Sequence, residues 1–154
     1  MVTKRYSVQK AQESQQKKDR YFLDIAEKVA TRATCPRRRV GCVLVDSKQH
    51  IVATGYNGVP AGFTHCIEVP CEGATLPSGT GLDLCEAIHS EVNAFLQLRS
   101  ADELTAYMTV TPCYTCSKMF ANSSVTRIVA LEEYVHERSR EILNNAGIKI
   151  MVLN

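Results

Sequence analysis

The 154-residue sequence has no long apolar run. None of its hydrophobic stretches approaches the roughly 18 consecutive residues that mark a transmembrane helix, so a helical membrane span is excluded. No apolar segment follows the basic residues near the N-terminus, where a secretory signal peptide would carry one. We therefore expect a cytoplasmic protein with no membrane partner.

The sequence also lacks an excess of charge of either sign. Its 18 Lys and Arg residues are nearly balanced by 16 Asp and Glu residues, and the formal net charge is +2. A domain that binds nucleic acid usually presents a strongly basic surface. The balance therefore argues against a stable nucleic-acid partner, but it is compatible with a small phosphorylated ligand.

The sequence shows no internal repeat, and its length fits one domain. Polar residues 1–15 predict a flexible N-terminal tail, and residues 16–154 predict a single domain. Apolar periodicity within the domain predicts the order α-β-β-α-β-α-β-α-β, typical of an α/β fold with helices covering a central sheet. The predicted helices cover residues 17–33, 89–98, 113–121 and 136–145, and the predicted strands cover residues 40–46, 51–54, 106–110, 127–131 and 148–152.

Seven cysteines are many for a protein expected in a reducing compartment. Disulfides are rare there, so metal binding or catalysis is the better explanation. Cys113 and Cys116 are three residues apart at the start of a predicted helix and therefore share one face. Pro112 suits the first turn of that helix, and the positive end of the helix dipole favours thiolates.

A second predicted helix begins with His89 and Glu91. One imidazole together with the two thiolates gives three zinc ligands and leaves the fourth position open, as in catalytic zinc sites. Zinc lowers the pKa of its water toward ~7, and we expect Glu91 to act beside it as the general acid and base. Alone, the cysteine pair could be a redox centre and the histidine a core residue. Together, a His-x-Glu motif followed by a Pro-Cys-x-x-Cys motif is the signature of zinc-dependent nucleobase deaminases.

The remaining cysteines need a separate explanation. Cys42 lies in an apolar strand and reads as an inert buried thiol. The other four lie at the end of the first predicted helix and along residues 63–85, an unusually long irregular stretch that needs a fastening. A structural zinc site bound by these four cysteines would fasten the stretch. The alternative is that all four are unpaired thiols. The predicted ligands are Cys35, Cys66, Cys71 and Cys85, with His65 as a possible replacement for Cys66.

Four motifs extend these observations over most of residues 19–152. They are Cys-Pro-Arg at 35–37 with Val-Gly at 40–41, Gly-Tyr-Asn-Gly-Val-Pro at 55–60, His-Ser-Glu-Val-Asn-Ala at 89–94, and Pro-Cys-Tyr-Thr-Cys at 112–116. The sequence resembles the deoxycytidylate (dCMP) deaminase family of the cytidine deaminase-like superfamily. Ser90 departs from the alanine usual in that family. The resemblance implies an α/β fold of the three-layer α/β/α cytidine deaminase-like type, with a central mixed five-stranded sheet.

The resemblance also implies an activity and its regulation. The family hydrolyses dCMP to dUMP and ammonia, which supplies dUMP for thymidylate synthesis. It implies a homohexamer, activated by dCTP with Mg²⁺ and inhibited by dTTP. Similar bacterial and phage members carry a second zinc ion on cysteines placed like the four above, which gives two Zn²⁺ per chain. A phage-encoded member would act in the host cytoplasm. The implied effector site includes Gly55, Tyr56, Asn57 and Gly58.

Several substrate contacts are carried over by position. Asn57 would bond the deoxyribose, or else serve as a turn residue with positive φ. Arg37 and Arg39 would bind the 5′-phosphate, because a guanidinium forks onto phosphate oxygens, or else form a solvated basic turn. Thr111 and Tyr134 are further candidates for substrate binding, with Tyr134 near the phosphate.

Other functions share the zinc motif. A tRNA adenosine deaminase or a free-cytidine deaminase would use the same core, although a tRNA enzyme should be more basic. A catalytically inactive zinc-binding module is a further alternative. Glu91 argues against it, because a purely structural site needs no carboxylate beside its ligands.

Overall fold

The computed structural model describes residues 7–99 and 102–154. Four helices and five strands follow the predicted order. The helices are α1 (Val8–Ala30), α2 (Ser90–Gln97), α3 (Tyr114–Ala121) and α4 (Glu137–Asn145). The strands are β1 (Gly41–Asp46), β2 (Ile51–Tyr56), β3 (Leu104–Val110), β4 (Val125–Glu132) and β5 (Lys149–Val152).

The five strands form one mixed sheet in the order β2-β1-β3-β4-β5. Strand β1 pairs antiparallel with both β2 and β3, whereas β3, β4 and β5 run parallel. The predicted α/β fold with a mixed five-stranded sheet is confirmed. The parallel half brings the C-terminal ends of β3 and β4 to the same edge of the sheet, where a site can form.

Helices cover both faces of the sheet. Alternation along β1 sends Val43 and Val45 to the face covered by α1. Cys42 and Leu44 point to the opposite face, where they join Ala94 of α2 and the cores of α3 and α4. Residues buried on both faces explain why β1 reads as a nearly continuous apolar run.

The start of α1 corrects one prediction. Residues 7–15 were expected within a flexible tail, but Ser7 caps α1 and its side chain accepts a hydrogen bond from the backbone N–H of Lys10. Gln, Lys and Glu are good helix formers, so the helix continues beyond the sheet without an apolar face to reveal it. Residues 1–6 of the predicted tail lie outside the described part.

Residues 63–84 are irregular, as predicted, apart from two short 3₁₀ helices at Glu72–Thr75 and Leu82–Leu84. Arg37, which lies outside this stretch, is hydrogen-bonded to it. Its Nη1 donates to the carbonyl oxygens of Thr80 at 2.8 Å and Pro77 at 3.2 Å. In the described part of the chain, none of the helices has the length and apolar character needed to cross a membrane.

Candidate active site

Three metal-binding side chains meet where α2 and α3 begin. His89 and Cys113 are the N-cap residues of these helices, and neither side chain caps its helix. His89 Nδ1 lies 3.5 Å from Cys113 Sγ and 3.4 Å from Cys116 Sγ. All three ligand atoms lie within 4.8 Å of one another. One imidazole nitrogen and two sulfurs are a donor set suited to zinc, so these residues fit the predicted metal.

Electrostatics in this cluster favour a thiolate. Hydrogen bonds from Cys116 and His89 lower the pKa of Cys113 well below that of an ordinary thiol. The hydrogen bond with Cys113 raises the pKa of His89. A hydrogen bond to Cys113, together with burial, also raises the pKa of Cys116. Because a metal binds the thiolate, the cluster holds Cys113 in the form that binding requires.

Glu91 lies in the first turn of α2 and is only 4% exposed. It is not a member of the three-ligand cluster. Burial raises the pKa of its carboxyl group, and Ser90 Oγ donates a hydrogen bond to Oε2 at 2.9 Å. A buried carboxyl group with a raised pKa beside a group of metal-binding side chains is suited to donating and accepting protons.

A cavity of about 100 Å³ joins these groups. Its walls include His89 and Cys113 of the metal-binding cluster, together with Glu91, which is not part of that cluster. Polar groups from other elements also line the cavity, among them Arg37, Arg38, Asn57, Thr111 and Tyr134.

Residues 16–132 match the family model described as the cytidine and deoxycytidylate deaminase zinc-binding region. The chain belongs to the cytidine and deoxycytidylate deaminase family. With the donor set described above, this membership identifies the cluster of His89, Cys113 and Cys116 as a zinc site.

Known relatives agree with that membership. The chain is 35% identical over 136 residues to the deoxycytidylate deaminase of Saccharomyces cerevisiae, with 86% of this chain and 43% of that protein covered. It is 38% identical over 122 residues to the deoxycytidylate deaminase of Mycobacterium phage D29, with 75% and 94% covered. The chain thus spans less than half the length of the yeast relative.

A solved structure shows the same fold. The dCMP deaminase of cyanophage S-TIM5, in complex with dCMP and dUMP, superposes with a TM-score of 0.73 at 27% identity. The match covers 87% of this chain and 95% of the phage chain. The predicted cytidine deaminase-like fold is confirmed.

The amide of Asn57 is held by backbone groups of neighbouring residues. Its Oδ1 accepts from the N–H of Val40 at 2.8 Å, and its Nδ2 donates to the carbonyl oxygen of Arg38 at 2.8 Å. Gln49 is the one non-glycine residue with a positive φ among the described residues, so the alternative role of Asn57 as a positive-φ turn is wrong.

The three consecutive arginines have different surroundings. Arg37 and Arg38 line the cavity, whereas Arg39 is exposed and does not. Arg38 forms an ion pair with Glu132 at the end of β4. The sequence predicted Arg37 and Arg39 at the site, whereas Arg37 and Arg38 line the cavity, because a run of three identical side chains carries no signal of which ones turn inward.

Thr111 and Tyr134 both line the cavity, and they are tied to each other. The backbone N–H of Tyr134 donates to Thr111 Oγ1 at 2.7 Å. The ring of Tyr134 is stacked with that of His136. This bond joins the segments that follow β3 and β4 at the site edge of the sheet.

The four predicted ligands of a second zinc ion are less closely grouped. Cys35, Cys66 and Cys71 are buried and Cys85 is half-buried. Among the described His, Cys, Asp and Glu residues, His89, Cys113 and Cys116 are the one set of three or more whose ligand atoms lie within 4.8 Å of one another. His65 is exposed, whereas Cys66 is buried, which favours Cys66 as the inward-facing residue.

The segment predicted to bind an effector, residues 55–58, begins with the last two residues of β2 and packs against α2. A Cβ atom at Gly55 would lie 2.1 Å from the carbonyl oxygen of Ser90 and 2.4 Å from the N atom of Ala94. Asn93 Nδ2 donates to the carbonyl oxygen of Tyr56 at 2.8 Å. Gly55 is therefore required for close contact between β2 and the helix that carries Glu91.

Proposed function

We propose that this chain hydrolyses dCMP to dUMP and ammonia. The observation that carries the proposal is the single cavity that combines a His-Cys-Cys zinc cluster with the buried, non-ligand carboxyl group of Glu91. When bound, zinc supplies a Lewis acid that lowers the pKa of a water molecule toward ~7. The names of the yeast and phage relatives, and the nucleotides in the cyanophage structure, support dCMP as the substrate.

Glu91 is the proton carrier in this proposal. Hydrolysis replaces the 4-amino group of the base by oxygen, so a proton must leave the attacking water and protons must reach the departing ammonia. A carboxyl group whose pKa is raised by burial can perform both transfers near neutral pH. The enclosed position of Glu91 keeps bulk water from competing for those protons.

The nucleotide would be held by groups on the other elements of the cavity. Asn57 uses one donor and one acceptor to hold the backbone, so the amide retains a second N–H and a second lone pair for the deoxyribose. We assign the 5′-phosphate to Arg37 and Arg38, with Thr111 and Tyr134 beside them. Arg38 replaces Arg39 in this role because Arg39 lies outside the cavity lining.

Ammonia release across a panel of substrates tests this function. The panel contains cytosine, cytidine, CMP, dCMP, dCTP and transfer RNA, with the zinc content of the protein measured in parallel. We expect turnover to be fastest with dCMP. Preferred turnover of cytidine or of transfer RNA would identify one of the alternative deaminases instead. Zinc-loaded protein that releases no ammonia from any substrate would identify an inactive zinc-binding module.

We also propose a second zinc ion and regulated assembly. Burial of three of the four cysteines near one irregular stretch supports a structural zinc site, with ligands Cys35, Cys66, Cys71 and Cys85. A homohexamer activated by dCTP–Mg²⁺ and inhibited by dTTP is proposed on the resemblance, with the effector site at Gly55, Tyr56, Asn57 and Gly58. Free thiols suit a reducing compartment, so we place the protein in the cytoplasm.

A further inference from the structure

Ser90 places a buried hydroxyl group next to the general acid and base. It is the first residue of α2 and is 0% exposed. Its Oγ donates to Glu91 Oε2 at 2.9 Å, and both side chains line the cavity. A hydroxyl group removed from water at this position needs a partner, and the Glu91 carboxylate is that partner.

The backbone that carries Ser90 is fixed from the opposite side. Gly55 packs directly against the Ser90 carbonyl group, where even a Cβ atom would not fit. One helical turn further, Asn93 bonds backward to the carbonyl oxygen of His89 at 3.1 Å and across to Tyr56. The backbone that carries the Ser90 hydroxyl group is thus held in place by β2, through Gly55 and Tyr56.

A carboxylate that transfers protons must keep one oxygen in a defined direction. The terminal torsion of a glutamate side chain is broad and roughly two-fold, so packing alone fixes it weakly. Because Ser90 occupies Oε2, the rotation is restrained and Oε1 is the oxygen left for proton transfer. Small losses of such alignment reduce rates substantially, because the reacting groups must meet in near-attack geometry.

We propose that Ser90 is a positioning residue, which orients the Glu91 carboxylate for proton transfer through the hydrogen bond to Oε2. The proposal rests on the deaminase activity proposed above. Ser90 acts on the reaction through Glu91 and not through the bound nucleotide. Its loss should therefore lower kcat and leave KM unchanged.

The test compares Ser90→Ala with a matched control, Ser117→Ala. Ser117 is likewise 0% exposed and likewise follows a zinc ligand, but its hydroxyl group faces the carbonyl oxygen of Pro112. Loss of a hydrogen bond to a charged group predicts a kcat lowered about tenfold in Ser90→Ala, with KM for dCMP within about twofold of wild type. Ser117→Ala should keep kcat within about twofold. Zinc content and the unfolding midpoint should match wild type in both variants.

A second background separates positioning from other effects. Glu91→Asp withdraws the carboxylate by one methylene group and so removes its contact with Ser90. In that background, adding Ser90→Ala should change the residual kcat by less than about twofold. An equal tenfold loss in both backgrounds would overturn the proposal, because the hydroxyl group would then act elsewhere.

The remaining outcomes are also decisive. If Ser90→Ala turns over dCMP at the wild-type kcat, or loses activity only in proportion to lost zinc, the positioning role is refuted while the deaminase activity stands. If the wild-type protein does not deaminate dCMP although it is loaded with zinc, the proposed function fails first and the role of Ser90 fails with it.

Discussion

Asp19 provides a quantitative test of how α1 is attached to the sheet. Its carboxylate is 1% exposed and accepts two hydrogen bonds from Arg127 of β4, at 2.8 and 2.6 Å. Tyr107 of β3 donates to it at 2.8 Å, and Gln15 donates at 2.9 Å. One side chain of α1 is thus bonded to the two central parallel strands.

Asp19→Asn keeps the shape of the side chain but removes its charge. The Arg127 side chain is only 20% exposed, so its charge would remain largely buried without a counter-ion. Removing one partner of a buried pair costs about 3–5 kcal/mol, and the retained amide contacts place this variant near 3 kcal/mol. The control is Asp24→Asn, whose ion pair with Arg20 is more than half exposed and should contribute less than about 1 kcal/mol.

The same variant predicts a dependence on pH. Burial by itself raises the pKa of Asp19, but the bonds from Arg127, Tyr107 and Gln15 outweigh it and lower the pKa below its usual value. A carboxyl group with a lowered folded-state pKa stabilises the protein above its unfolded pKa of ~3.9, and that stabilisation is lost as the pH falls further. Asparagine does not titrate, so the gap between wild type and Asp19→Asn should narrow below about pH 4.

Denaturant unfolding at several pH values measures both effects, and any release of zinc in acid affects the two proteins alike. The reasoning is refuted if Asp19→Asn destabilises the protein no more than Asp24→Asn. It is equally refuted if the gap to wild type is the same at pH 7 and at about pH 3.

Three further predictions concern the site and its regulation. Glu91→Gln should lower kcat at or beyond the top of the ~10²–10⁴-fold range of general acid–base groups at unchanged zinc content; more than a tenth of the activity remaining would place proton transfer elsewhere. Elemental analysis should find about two zinc ions per chain, and Cys71→Ser should lower stability more than kcat; a value near one would eliminate the structural site. Saturation by dCMP should be sigmoidal alone and nearly hyperbolic with dCTP–Mg²⁺, and dCMP should tighten dCTP binding by the same factor; hyperbolic curves unaffected by dCTP or dTTP would refute this regulation.

The architecture could be predicted where burial leaves a periodic pattern. Strand β1 shows it, since both of its faces are covered and its apolar residues are continuous. The start of α1 could not be predicted, because its first two turns contact no sheet and therefore carry no apolar stripe. The pairing of β1 with β3, unlike its hairpin with β2, depends on contacts far apart in sequence, which periodicity does not encode.

The zinc cluster could be predicted because its geometry is largely local. Cys113 and Cys116 lie within one turn at the start of α3, and His89 occupies the N-cap position of α2. The arginine positions depend instead on tertiary contacts. Arg37 is fixed by carbonyl groups about 40 residues away in sequence, and Arg38 by Glu132. A motif indicates which residue types a site needs, but the elements packed around it decide which copy of a repeated residue faces inward.

The contacts of residues 55–58 show how a local sequence motif and tertiary packing act together. From the sequence alone, Gly55 indicates only a position where the backbone is free of a side chain. In the fold, that free space is filled by the backbone of α2. Tyr56 follows and is bonded to Asn93 on the same helix, two residues beyond Glu91. An effector that displaced Gly55 and Tyr56 would therefore move the helix that carries Glu91, through the contacts with Ser90 and Asn93. In the regulation proposed above, an effector could therefore alter kcat without contacting the substrate, because Gly55 packs against the helix that carries Glu91.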